Sequence, residues 1–247
     1  MDTDCGQPVA LITGAAVRIG AALARTLHEQ AFNVVINYHR SKNDAVAAVA
    51  QMNQIRPNSA LAIAGDVRDI AVCEQLAERA LGWHGRLDLL VNNASTFYPT
   101  PIGSATSDQW EDLMGTNLKA PFFLSQACAP ALKRTRGNII NIIDIYAMKS
   151  LANYPIYTAA KAGLVGLTRN LANDLAPDIR VNGIAPGSIL WPTGDNDGAT
   201  TAGSIARIPL GRMGEPDDIA HAVQYFIRPG NFVSGQILAI DGAASIV

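Results

Sequence analysis

Seven short runs along the chain are apolar at nearly every position. They are "VALIT" at 9–13, "NVVIN" at 33–37, "ALAIA" at 60–64, "LDLLV" at 87–91, "NIINII" at 138–143, "RVNGIA" at 180–185 and "QILAI" at 236–240. A strand with one wet face alternates apolar and polar side chains, so unbroken runs predict parallel strands covered on both faces. Between the runs, "IGAALARTLHEQ", "VCEQLAERALGW" and "AGLVGLTRNLANDLA" carry apolar residues at helical spacing. Alternating strands and helices imply right-handed crossovers and a doubly wound α/β architecture.

The expectation is one Rossmann-type domain over residues 1–247, with a mostly parallel seven-stranded sheet and helices on both faces. No internal repeat or Pro/Gly/Ser-rich linker divides the chain. One segment stands apart: 187–205 is rich in Gly, Thr, Asp and Asn, ahead of a helix predicted to start near Glu215. A connection that long inside a compact domain predicts a substrate flap, placed at about 187–213 with its tip at 195–205.

Composition narrows the class. Hydrophobic residues make up 49% and charged ones 16%, the balance of a compact enzyme, and the formal net charge is −2. Such a chain has no field to gather nucleic acid or anionic lipid, so any phosphate binding is local. Cys5, Cys73 and Cys128 are scattered, which fits free thiols. His28, His39, His84 and His221 show no metal-ligand spacing, so no metal site is expected. The N-terminus "MDTDCGQPVALITG" runs straight into a strand, and no apolar run approaches the roughly 20 residues that span a bilayer. A cytoplasmic protein without membrane partners is expected.

The first strand runs into "TGAAVRIGAALA", where Gly14 and Gly20 lie on a strand-to-helix turn suited to a dinucleotide pyrophosphate. Arg18 stands where a further glycine is usual. The second strand ends in "NYHRS", lacking the acid that an NAD site uses to hold the ribose 2′-hydroxyl. His39, Arg40 and Ser41 offer cationic and hydroxyl donors instead, and a guanidinium binds a 2′-phosphate through two hydrogen bonds. NADPH is therefore the expected cofactor. Asp66, in "GDV" after the third strand, is positioned for the adenine amino group.

Taken together, "TGAAVRIG", the "DV" at 66–67, "NNAS" at 92–95, Asn117 in "GTNLKAPF", "YTAAK" at 157–161, "IRVNGIAPG" at 179–187 and "GQILAIDGA" at 235–243 resemble the short-chain dehydrogenase/reductase family over nearly the whole chain. Four departures from that family's common pattern resemble its pteridine reductases. They are Arg18, "NYHRS", "NNASTFYPTP" with Phe97 and Tyr98, and Asp144 in place of the usual serine. The resemblance implies catalytic Asn117, Asp144, Tyr157 and Lys161. It implies cofactor contacts from Gly14, Arg18, Ile19 and Gly20, from Tyr38 to Ser41, and from Asp66 and Val67. Asn93, Ala94, Ser95, Tyr157, Lys161, Pro186, Gly187 and Ser188 complete that set. Substrate contacts are implied for Arg18, Ser95, Phe97, Asp144, Tyr157, Leu190 and Trp191. A homotetramer is also implied, and the apolar end of "FVSGQILAIDGAASIV" suits packing at a subunit interface.

Tyr157 and Lys161 lie one helical turn apart, so an ammonium beside the phenol is expected to lower its pKa from about 10. By resemblance, Lys161 also binds the nicotinamide ribose, while Asn117 anchors its helix and relays Lys161 to water. Asp144 poses a different problem. An ionised carboxylate only accepts hydrogen bonds and would repel the alkoxide that forms when a ketone is reduced. It suits a substrate with N–H donors, or a ring nitrogen that takes a proton as hydride arrives, and an apolar setting would raise its pKa. A pterin has both features. The expected activity is reduction of dihydrobiopterin or a related dihydropterin, with oxidised pterins as further substrates. Dihydrofolate or dihydromonapterin reduction is the alternative within that chemistry. A general carbonyl reductase with an incidental Asp144, and a silent NADPH-binding regulator, are the others. Phe97 would stack on the pterin, and Arg18 would reach across the pyrophosphate to its edge. Tyr154 fits equally a place near the cleft or packing at the start of the helix.

Overall fold

Each of the seven apolar runs is a strand in the computed structural model, which describes residues 6–189, 203, 205–230 and 232–247. In chain order they are β1 (Val9–Ile12), β2 (Asn33–Tyr38), β3 (Ala60–Ala64), β4 (Leu89–Asn92), β5 (Asn138–Ile142), β6 (Arg180–Pro186) and β7 (Ile237–Ile240). They form one sheet in the order β3-β2-β1-β4-β5-β6-β7, every neighbouring pair parallel. The sheet is thus wholly rather than mostly parallel. All residues of β1, β4 and β5 are buried, which is why those runs carry no polar alternation.

Helices cover both faces. On one, α1 (Arg18–Glu29), α2 (Lys42–Ile55) and α7 (Pro216–Ile227) pack over Ile12, Ile36 and Ile184. On the other, α3 (Ile70–His84), α5 (Ala120–Thr135) and α6 (Pro155–Asp174) pack over Leu11, Val35 and Val181. α6 starts earlier than its apolar periodicity suggested, because Pro155 occupies its first turn, where a missing N–H costs nothing. Glu215 caps α7 through a reciprocal bond with Asp218, close to the expected start.

Chain order reverses between β1 and β4, so the crevice of a doubly wound sheet opens above their C-terminal ends. Two local features shape it. Beyond β5, Asp144 caps a single 3₁₀ turn, Ile145–Ala147, accepting from the Tyr146 N–H at 2.8 Å. Between α4 (Ser107–Met114) and α5, the backbone widens into a π-helical turn, Gly115–Lys119, which carries Asn117. Such turns insert one residue into a helix and re-aim a side chain, often at a functional site.

A buried polar chain fixes α6 on the sheet. Asn92 donates to the Asn141 side-chain oxygen at 2.8 Å, Asn141 donates to the Thr168 hydroxyl at 2.9 Å, and that hydroxyl donates to the Leu164 carbonyl at 2.7 Å. Asn141 and Thr168 are fully buried. Thr168→Val keeps the shape but strands the Asn141 amide, so unfolding free energy should drop by about 1–3 kcal/mol in denaturant titration. An unchanged midpoint would show that α6 is held without this chain.

Candidate active site

The turn after β1 is built by close approach. Gly14 has φ of 59°, and a Cβ there would lie 2.9 Å from the Ala94 Cα. A Cβ on Gly20 would lie 2.5 Å from the Gly14 carbonyl oxygen. Asn93 donates to the carbonyls of Thr13 and Gly14 at 2.8 and 3.0 Å, and the Thr13 hydroxyl accepts from the Asn93 and Ala94 N–H groups. Asn37 accepts from the Gly14 N–H and donates to the Gly65 carbonyl. Arg18 takes φ of 54°, the left-handed region. That is why glycine is usual there, and the strain is of order 1–2 kcal/mol.

This turn floors a cavity of about 520 Å³. Its walls bring together thirteen of the eighteen residues expected to hold the cofactor, and Tyr157 and Lys161 are not among them. Arg18, Ile19 and Gly20 come from the turn and the start of α1, and Tyr38, His39, Arg40 and Ser41 from the end of β2. Asp66 and Val67 follow β3, and Asn93, Ala94 and Ser95 follow β4. Arg68, Asp112 and Thr116 also line it, and the sequence reading passed over them. Pro186, Gly187 and Ser188 do not line this cavity; Gly187 closes on Asp241, whose Cβ an added side chain would meet at 2.7 Å. Leu190, Trp191 and most of the expected flap lie outside the described residues.

The expected catalytic side chains converge beside it. The Tyr157 hydroxyl donates to the Asp144 carboxylate at 2.6 Å. Lys161, 2% exposed, donates to the Ile142 carbonyl at 3.0 Å and sits 5.7 Å above the Tyr157 ring centre. Burial lowers the Lys161 pKa to about 8, with Asp144 opposing. The expected lowering of the Tyr157 pKa is overturned. Burial and the adjacent Asp144 carboxylate hold the phenol well above its ordinary value, so Tyr157 keeps its proton. Asp144 behaves as expected: burial raises its pKa, against the bonds from Tyr157 and the Tyr146 N–H and the charge of Lys161.

Asn117 is fully buried and donates to the Leu113 and Thr96 carbonyls at 2.9 and 3.0 Å, while Ser95 donates to its oxygen at 2.6 Å. Its side chain therefore ties the segment after β4 to the π turn. Phe97 is 51% exposed, stacked on Tyr154 at 4.6 Å and edge-on to Tyr157 at 4.8 Å. Tyr154 thus stands beside Phe97, while also preceding the first turn of α6.

The chain belongs to the short-chain dehydrogenase/reductase family of oxidoreductases, whose members use NAD(P)H. A family model described as "Enoyl-(Acyl carrier protein) reductase" matches residues 14–244. The chain is 34% identical to "Pteridine reductase 1" of Leishmania tarentolae, over 100% of this chain and 99% of that protein. It is 33% identical to "Granaticin polyketide synthase putative ketoacyl reductase 2" of Streptomyces violaceoruber, over 100% of both chains. It is also 33% identical to "3-oxoacyl-[acyl-carrier-protein] reductase FabG" of Staphylococcus aureus, over 94% of this chain and 96% of that one.

The Asp144 shift has a consequence for stability. A carboxyl whose pKa is raised by folding stabilises the fold in its protonated form, below its unfolded value near 4, and loses that contribution as pH rises through the folded value. Asp144→Asn stays neutral throughout. Its melting temperature relative to the parent should therefore be higher at about pH 8 than at about pH 4. A difference independent of pH would contradict the raised pKa.

Proposed function

We propose that the protein reduces pterins with NADPH, taking dihydrobiopterin or a related dihydropterin to the tetrahydro form. The observation that carries this reading is the 2.6 Å hydrogen bond between Tyr157 and Asp144. The cavity fits a dinucleotide: glycines whose Cβ would collide, a helix start facing the turn, and donors at the far wall. When bound, the cofactor supplies hydride. What this chain's own residues supply is the proton.

Asp144 is the acid with the raised pKa, and Tyr157 stays protonated beside it. With Asp144 neutral, its O–H donates to the Tyr157 oxygen, freeing the Tyr157 O–H for a substrate ring nitrogen. Proton transfer from Tyr157 to that nitrogen, and from Asp144 to Tyr157, leaves the ionised carboxylate accepting from the phenol. The 2.6 Å hydrogen bond from Tyr157 to Asp144 supports that state. Lys161, with its pKa near 8 and its charge acting on Asp144, is suited to help restore the proton.

NADPH is favoured by His39, Arg40 and Ser41 on the cavity wall, with no acid at the end of β2. Asp66 is engaged by Arg68, which blunts repulsion of a 2′-phosphate. Phe97, half exposed beside Tyr157, supports stacking on a flat bicyclic ring, worth roughly 0.5–1.5 kcal/mol beyond buried area. Exposed Leu238, Ile246 and Val247 support the homotetramer. A ketoacyl or carbonyl reductase is the second reading, favoured by the names of two relatives of similar identity.

The test is oxidation of NADPH and NADH by the purified protein with dihydrobiopterin, dihydrofolate, biopterin, a small diketone and an acetoacetyl thioester. Turnover should be confined to the pterins and folate. kcat/KM should favour NADPH by about ten- to a hundredfold, as a charge-assisted bond of roughly 1.5–3 kcal/mol implies. Turnover of the diketone or thioester alone would establish the second reading instead.

A further inference from the structure

One cluster runs from the cavity wall to the segment after β4 and has no part in the proton chemistry. The Arg68 Nε and Nη2 donate to both oxygens of Asp66, at 3.0 and 2.6 Å to Oδ2 and 3.1 Å to Oδ1. Its Nη1 donates to the Asp112 Oδ1 at 2.8 Å. The other Asp112 oxygen accepts from the Tyr98 hydroxyl at 2.9 Å. Asp66 lies after β3 beside His39, whose Nε2 is 3.9 Å away. Asp112 is on α4, and Tyr98 adjoins Phe97 in the segment after β4.

We propose that Arg68 is a positioning residue that couples the two ends of the cleft, tying the adenosine wall at Asp66 to the substrate-facing segment at Phe97 through Asp112 and Tyr98. This rests on reading the cavity as the dinucleotide site and Phe97 as a substrate contact. The chemistry of the residue explains its use. A guanidinium forks, so one face holds Asp66 through two nitrogens while the third nitrogen reaches Asp112; an ammonium has no such fixed fork. The stem also crosses the start of the π turn, where a Cβ added to Gly115 would lie 3.4 Å from the Arg68 Cγ. Arg68 thereby lies alongside the backbone that carries Asn117.

A stabilising role alone does not account for the cluster. The side chains of Arg68, Asp66 and Asp112 are 38%, 30% and 24% exposed, so water screens part of what the network contributes to folding. What they do have in common is a place on the cavity wall. A ligand that fills the adenosine end loads Asp66 and Arg68. Through Asp112 and Tyr98 it restrains residues 97–102 before substrate arrives, and substrate bound at Phe97 tightens cofactor by the same factor. The charges persist through the neutral range. Arg68 holds the Asp66 carboxyl low, Asp66 holds Arg68 high, and burial with Asp112 pushes the Tyr98 phenol to about 12.

The experiment is hydrogen–deuterium exchange of the full chain with and without saturating NADPH, in the parent and in Tyr98→Phe, which removes one hydroxyl and leaves Arg68 in place. NADPH should slow exchange at 14–20 and, by about fivefold, at 97–102 in the parent. In Tyr98→Phe the slowing at 97–102 should fall to less than half, with that at 14–20 intact. The substrate KM should rise about three- to tenfold with kcat little changed, the signature of lost binding rather than lost chemistry. Equal slowing at 97–102 in both proteins would overturn the coupling, as would its absence in the parent while 14–20 is protected. No slowing at 14–20 would overturn the cofactor reading, and the coupling with it. Arg68→Lys supplies an independent check: it keeps the charge, removes the fork, and should match Tyr98→Phe at 97–102.

Discussion

A phenol and a carboxylate share a 2.6 Å hydrogen bond just beyond the end of β5, largely out of water. In water, the two groups would titrate about six units apart and ignore each other. Here burial raises both; the Asp144 charge lifts the phenol further, while the hydrogen bond from the phenol draws Asp144 part of the way back. Lys161 is the counterweight, a fully enclosed ammonium whose own pKa falls to about 8. The active-site chemistry follows from keeping these three groups enclosed and in register.

Much of the fold can be understood as holding that register. Strand β5 delivers Asp144, and α6 delivers Tyr157 and Lys161. The buried chain through Asn92, Asn141 and Thr168 locks the two elements together several residues back from the chemistry. The π turn directs Asn117 toward the segment after β4, so that segment and the helix behind it are tied together. Arg18 sits in left-handed backbone where a glycine would rest more easily. A side chain kept at such a position is explained by what it does above the cavity floor rather than by stability.

The strands were legible because parallel strands buried on both faces must be apolar throughout, and little else in this chain is. Their ends were less so. The fourth run began at Leu87, which is buried, but Asp88 turns inward to accept the Val9 N–H and the strand proper starts at Leu89. The glycines, Arg18 and the Tyr–Lys pair were legible as motifs. The direction of the Tyr157 shift was not, since four residues of helix reveal the ammonium but not how the carboxylate is placed. In the fold Lys161 spends its bond on the Ile142 carbonyl, and Asp144 stands closer to the phenol. Arg68 and Asp112 carry no signal at all in one dimension, because their partnership joins positions 44 residues apart. The π turn is equally silent, being one residue of slack in an otherwise continuous helical stretch.

In the function proposed, Asp144 serves a ring nitrogen of the substrate. The most direct measurement is the ratio of kcat/KM for dihydrobiopterin to that for a small diketone, in the parent and in Asp144→Ser. The parent should favour the pterin. The serine variant, offering a hydroxyl donor to a developing alkoxide and no acid to the ring, should reverse the order, losing about a hundredfold or more on the pterin. An unchanged ratio would show that Asp144 takes no part in choosing the substrate, and the account built on it would fail.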